Sequence, residues 1–230
     1  MALSLYATPV NYSGVNTSIS QAVDVGSGSN RLLIIGCCYY FNGAEPTISA
    51  IAYNGVALTV VPGSRAVYEL SGRRYVVEWY TLVAPASGSN SLSITFDQTV
   101  EYSVTPVALE GANQSTPTGD VETSTTADPA SHAMTTVQDN SFLLQIVAGR
   151  NTIAPFVPTS PAVEWSEYQG TSLDAYGGYR ATTTAGAYTI EVDLTGTNNS
   201  NNSSSAIEVR EAVAGGVEVA VNLATLNLSP

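Results

Sequence analysis

Apolar residues in this chain come in short runs and not at helical spacing. Nearly every run is rich in Val, Ile, Thr and Tyr and closes on Gly, Pro, Asn or Ser, the pattern of strands and turns. Arg31–Phe41 is almost continuously apolar, which predicts a strand buried on both faces or central in its sheet. Thr47–Tyr53 and Val56–Val61 flank Asn54-Gly55, and Arg65–Leu70 and Arg73–Val83 flank Ser71-Gly72. Such pairs accept positive φ at both positions and predict two tight hairpins. Within the last run, Val77, Trp79, Thr81 and Val83 share one face and Val76, Glu78, Tyr80 and Leu82 the other. Both faces are largely apolar, so this strand is expected to be central. After a turn at Pro85–Asn90, Ser91–Phe96 alternates cleanly. Val100–Leu109 follows, and Pro106, lacking an N–H, predicts an edge or a bulge there.

Asn113–Pro129 is poor in large apolar residues and reads as a long connection with a short strand at Val121–Thr125. Further strands are predicted at His132–Val137, Ser141–Gly149, Ala162–Tyr168, Leu173–Thr182, Ala187–Leu194 and Ser205–Ala212, with Gly196–Ser204 a solvated loop. No segment carries a helical period. About a dozen strands at spacings of about 8–12 residues predict an all-β, two-sheet β-sandwich of the jelly-roll kind, one domain over residues 1–212. Residues 213–230 form a C-terminal extension. After Gly215-Gly216, Val217, Val219, Val221 and Leu223 alternate with smaller or polar residues, and Leu226 and Leu228 continue on the other parity. An apolar strand of this kind either closes its own sheet or adds to a neighbour's edge.

Charge narrows the choice of partner. Only 11% of the residues are charged and the formal net charge is −12, with seven arginines and no lysine. Nucleic acid and an anionic membrane surface are both excluded as partners, since each demands clustered cations. No run approaches the ~20 apolar residues of a membrane helix. Met1–Val10 has no basic start and is broken by Ser4, Thr8 and Pro9, so no signal peptide is expected and the protein is expected to remain in the cytoplasm where it is made. Cys37 and Cys38 are adjacent in the long apolar run and should point to opposite faces as free, buried thiols.

Candidate chemistry is sparse. His132 is the sole histidine, and its neighbours form no nucleophile signature. Glu164 and Glu167 lie near Trp165 and Tyr168, and Glu191 and Asp193 share a strand face. Paired carboxylates of this sort suit glycoside hydrolysis only across a cleft, and they serve equally as solvated edges. Asp120, Glu122 and Asp128 lack the spacing of a calcium loop. No catalytic residue, metal or cofactor is therefore assigned, and the chain is read as a non-enzyme. Trp165, Tyr168, Tyr176 and Tyr179 lie in a Gly/Ser-rich stretch. Exposed, they would stack on sugar rings; the same residue types also fill cores and subunit interfaces. Arg65, Arg73, Arg74, Arg150 and Arg180 are expected to pair with carboxylates.

Two stretches carry a family likeness: VGSGSNRLLIIG…PTISAIAYNGVALTVV over Val25–Val61, and EWYTLVAPASGSNSLSITF over Glu78–Phe96. They resemble a β-sandwich module that recurs in bacteriophage virion proteins and related bacterial surface proteins. The hairpin Tyr53–Thr59 matches its "GGVALT"-like turn, with Asn54 where the pattern often has Gly. AGAYTIEVDL and SAIEVREA, within Ala185–Ala212, resemble its closing strands. The resemblance implies a virion structural protein, a capsid-decoration or tail-associated type, assembled in the host cytoplasm as a homo-oligomer with other virion proteins. It carries no active-site residues. Two rival readings remain: a carbohydrate-binding module of a tail fibre or cell surface, and an extracellular filament subunit joined by strand exchange through the extension.

Overall fold

The computed structural model describes residues 2–150, 153–196 and 201–212. Among them are seventeen strands and no helix. The first nine strands are β1 (Ser4–Leu5), β2 (Tyr12–Asp24), β3 (Leu32–Asn42), β4 (Ile48–Tyr53), β5 (Val56–Ala57), β6 (Thr59–Val60), β7 (Ala66–Leu70), β8 (Arg73–Val83) and β9 (Ser89–Glu110). Then come β10 (Thr118–Thr125), β11 (Ala130–Thr136), β12 (Phe142–Arg150), β13 (Phe156–Pro158), β14 (Val163–Gln169), β15 (Leu173–Ala181), β16 (Gly186–Leu194) and β17 (Asn202–Val209). They form three antiparallel sheets, of nine, five and three strands. A third sheet was not expected from the sequence, which predicted two.

The nine-stranded sheet curls into a nearly closed barrel. Its pivot is β9. Along one edge β9 pairs with β2, from Tyr12↔Val104 to Asp24↔Ser89. Along the other it pairs first with β4 (Ile51↔Ile94) and then with β3 (Ile35↔Pro106). One strand thus passes from one wall of the barrel to the other, with a register break in β2 between Asn16 and Ser18. The hairpin at Asn54-Gly55 joins β4 to β5, with φ of 49° and 77°, and that at Ser71-Gly72 joins β7 to β8, with φ of 50° and 81°. Both turns are those the sequence predicted.

Four apolar clusters lie between or within the layers. Leu33, Ile35, Tyr39, Val76, Tyr80, Leu92, Ile94 and Phe96 fill the barrel. On the outer side of β3 and β8, Leu32, Ile34, Val77 and Trp79 meet Leu144, Ile146, Ala175 and Ile207 of the five-stranded sheet, ordered β10-β17-β12-β15-β14. The far side of that sheet is covered by β11-β16-β13, through Val147 and Tyr176 against Val192 and Leu194, and through Leu143 and Ala206 against Met134 and Ile190. Strands β3, β8, β12 and β17 are therefore buried on both faces. That is why the runs of β3, β8 and β12 read as continuous and not as alternating. Cys37 points into the barrel and Cys38 into the next layer, both free and buried.

Pro106 lies inside β9, not at an edge of the sheet. Its register position falls between Leu5↔Leu109 and Tyr12↔Val104, where the neighbouring chain lifts away and no partner requires an N–H. A second expectation is corrected in β17. Asn202, Ser203 and Ser204, assigned to a solvated loop, are wholly buried strand residues. Their polar groups are matched internally: Asn202 Nδ2 donates to Ala127 O at 2.8 Å, and Ser203 Oγ to Tyr75 O at 2.9 Å. The extension, with Val217, Val219, Val221, Leu223, Leu226 and Leu228, lies outside the described residues.

Candidate functional site

The structure separates the four aromatics singled out from sequence. Trp165 occupies the register break of β14 and lies over Gly177, where no side chain would fit. It stacks on Tyr179 at 5.6 Å and 8°, and Phe142 packs on Tyr179 at 5.6 Å. All three cover the central core. Tyr168 donates to Glu101 Oε1 at 3.2 Å. Tyr176 points to the opposite face of the sheet, is 2% exposed and packs on Phe156. It is too deeply buried to meet a ligand. The four do not form one platform, because Tyr176 and Tyr179, three apart on one strand, must face opposite ways.

The carboxylates mostly hold the scaffold. Glu101 caps the turn before β15, accepting from Thr171 N at 2.7 Å and Ser172 N at 3.0 Å. Asp174 Oδ2 accepts from Ile153 N and Ala154 N, each at 3.2 Å. Glu208 has no exposure; it accepts from Val137 N, Ser141 Oγ and Asp120 N and pairs with Arg210 at 3.1 Å. Burial raises the Glu164 pKa, and the charge of Glu167 adds to it. Glu191 accepts from Thr159 Oγ1 at 3.0 Å. Asp120 Oδ2 accepts from Thr135 N at 2.6 Å. Among the described residues no three His, Cys, Asp or Glu side chains converge as a metal ion would require. His132 is buried with Nε2 at 3.0 Å from Ser204 Oγ, and burial lowers its pKa to about 4.

The arginines divide as well. Arg65 pairs with Glu45 at 2.5 Å, Arg74 with Glu69 at 3.1 Å, while Arg180 lies over the Tyr188 ring at 4.9 Å. Arg65 leads further than its pairing with Glu45. It reaches the mouth of the barrel, where Nε is 3.8 Å from Glu78 Oε2. Glu78 is only 4% exposed, and its Oε1 accepts from Tyr39 Oη at 2.5 Å. Burial raises the Glu78 pKa, while Tyr39 and Arg65 pull it back. A cleft of about 670 Å³ opens above this group, between β4 and β6, lined by Ile51, Ala57, Leu58, Val60 and Tyr80. The clue in the sequence was Glu78 itself, a carboxylate set between Val76 and Tyr80 on a largely apolar strand face. Through its bonds to Glu45 Oε1 and Pro46 O, just ahead of β4, Arg65 ties this wall to the β4 side of the barrel.

The most accessible feature is an edge. β2 runs thirteen residues with β9 as its only strand partner, so its outer row of backbone groups has no ladder among the described residues. Asp24 is its only charge, and it holds no Lys, Arg or Pro. Val15, near its start, is 64% exposed. Edges of natural sheets are normally blunted by charge, proline or a cover. This one carries a bulge at Thr17, and Tyr12 Oη covers one of its carbonyls, Ala22 O. Comparison with known protein families, curated proteins and solved structures finds no match to this chain.

Proposed function

We propose that this chain is a non-catalytic assembly protein, best read as a virion structural protein of the capsid-decoration or tail-associated type. Within that reading the barrel and the sheet behind it correspond to a jelly-roll-like sandwich module, and the C-terminal extension is a further strand for assembly. The observation that carries it is the β2 edge: thirteen residues, almost uncharged, paired on one side only. A strand of that kind adds readily to an edge of another copy or of a partner. The buried, internally bonded states of Glu208, Glu101 and His132 support a scaffold over an active site.

Light scattering on the purified chain tests the reading, with Ser18→Lys/Ser20→Lys as the comparison. Charges on the edge should shift an oligomeric protein towards monomer without moving its unfolding midpoint by more than about 1 kcal/mol of stability. A parent chain that stays monomeric at high concentration and binds no particle would count against the proposal.

A further inference from the structure

Between β1 and β2 the chain lifts off β9 and roofs a recess of about 450 Å³. Pro106 and Ala108 form its floor, Tyr6, Pro9 and Tyr12 its walls, and Asp24 stands at its rim. The recess exists because β2 curls so far that its two ends meet: Tyr12 Oη donates to Ala22 O, ten residues on, at 3.0 Å. That bond fixes one tyrosine. The other is held from two sides, by its Oη donating to Asp24 Oδ2 at 3.3 Å and by its ring lying against Gly26, where a Cβ would collide with it. Asp24 is fixed in turn, because Oδ1 accepts from Gly26 N at 2.9 Å.

The chemistry of this recess is one-sided. No arginine lines it. The nearby Arg31 is turned to the carbonyls of Gly28 and Pro85. The Tyr6 pKa is raised, first by the charge of Asp24 and also by Glu110, which marks a negative potential at the phenol. Two tyrosine rings and a carboxylate, on a protein of net charge −12, favour a cation over a neutral or anionic guest. The volume lies within the range of small-ligand sites and exceeds a bare ammonium head.

We infer that the recess between Tyr6, Tyr12 and Asp24 binds an alkylammonium group, an amine on an apolar stem. The stem lies on Pro106 and Ala108 and the ammonium faces Asp24 and the tyrosines. This inference is independent of the assembly reading, since a monomer would carry the same recess.

Amide NMR titration of the intact chain with n-pentylamine hydrochloride, and with its neutral counterpart 1-pentanol, tests it. The expected result is saturable shifts confined to residues 6–12 and 22–26, with the amine bound about tenfold more tightly than the alcohol and weakened by salt. Asp24→Asn keeps the acceptor for Gly26 and should abolish that preference while leaving pentanol binding unchanged. If the variant unfolds, the salt dependence of the parent decides. Nα-acetyl-lysine methylamide distinguishes the source: tighter binding than pentylamine assigns the site to a partner's lysine, weaker binding to a free amine. Equal binding of amine and alcohol, no shifts in these residues, or stronger shifts with a neutral methyl glucoside would overturn the inference.

Discussion

Tyr39 Oη donates a 2.5 Å hydrogen bond to Glu78 Oε1 inside the barrel, a diagonal contact between the paired strands β3 and β8. The carboxyl is buried and its folded pKa is raised above the ordinary 4.5. Its contribution to stability is therefore full below about pH 4.5 and is lost as pH rises through the folded value. Glu78→Gln, which keeps an acceptor for Tyr39, should flatten that decline and leave stability at pH 7 equal or higher. Tyr39→Phe should cost about 1–3 kcal/mol at pH 7 and less at pH 4, where the carboxyl is neutral. Urea unfolding at the two pH values checks both. A Gln variant several kcal/mol weaker at pH 7 would contradict this account.

His132 titrates in the opposite sense. Burial lowers its pKa from 6.5 to about 4. Its neutral form stabilises the fold above pH 6.5, and that contribution is lost as pH falls through about 4. The gap amounts to about 3 kcal/mol. His132→Gln, which keeps a partner for Ser204, should remove this acid-side slope and be more stable than the parent at pH 4. Because Glu78 and His132 oppose each other over part of the range, the single variants separate them where the parent curve does not.

Gly36 lets the barrel and the five-stranded sheet approach each other. A Cβ there would lie 2.9 Å from both Trp79 Cζ3 and Ile146 Cγ2. Gly36→Ala should destabilise by about 1–3 kcal/mol and Gly36→Val by more, through overpacking between the layers. The denaturation midpoint reads the cost, and an unchanged midpoint for the valine variant would refute the packing described.

The sequence made the interior strands legible and left the polar ones hidden. Arg31–Phe41 announced a two-sided burial that β3 has, and the two faces assigned to Arg73–Val83 are the faces that meet the barrel and the central core. Asn54-Gly55 and Ser71-Gly72 revealed their turns because only a few residue types tolerate that backbone. By contrast, β2 was not recognised, since Ile19 and Val23 are its only buried side chains and Ser, Asn and Thr conceal the alternation. The polar start of β17 misled for the opposite reason: Ser203 and Ser204 are buried because Tyr75 O and His132 meet them from other elements. No local pattern encodes a hydrogen bond made across 128 residues. The Tyr6–Asp24 recess was illegible for the same cause, as it depends on the curl that brings Tyr12 to Ala22.

Hydrogen–deuterium exchange of β2, followed as a function of protein concentration, tests the assembly reading most directly. Amides of β2 that face away from β9 should become protected as concentration rises, while those in the Asp24–Ser89 to Tyr12–Val104 ladder stay protected throughout. Outer-edge amides that exchange freely at every concentration, in a sample whose mass shows it to be assembled, would contradict it.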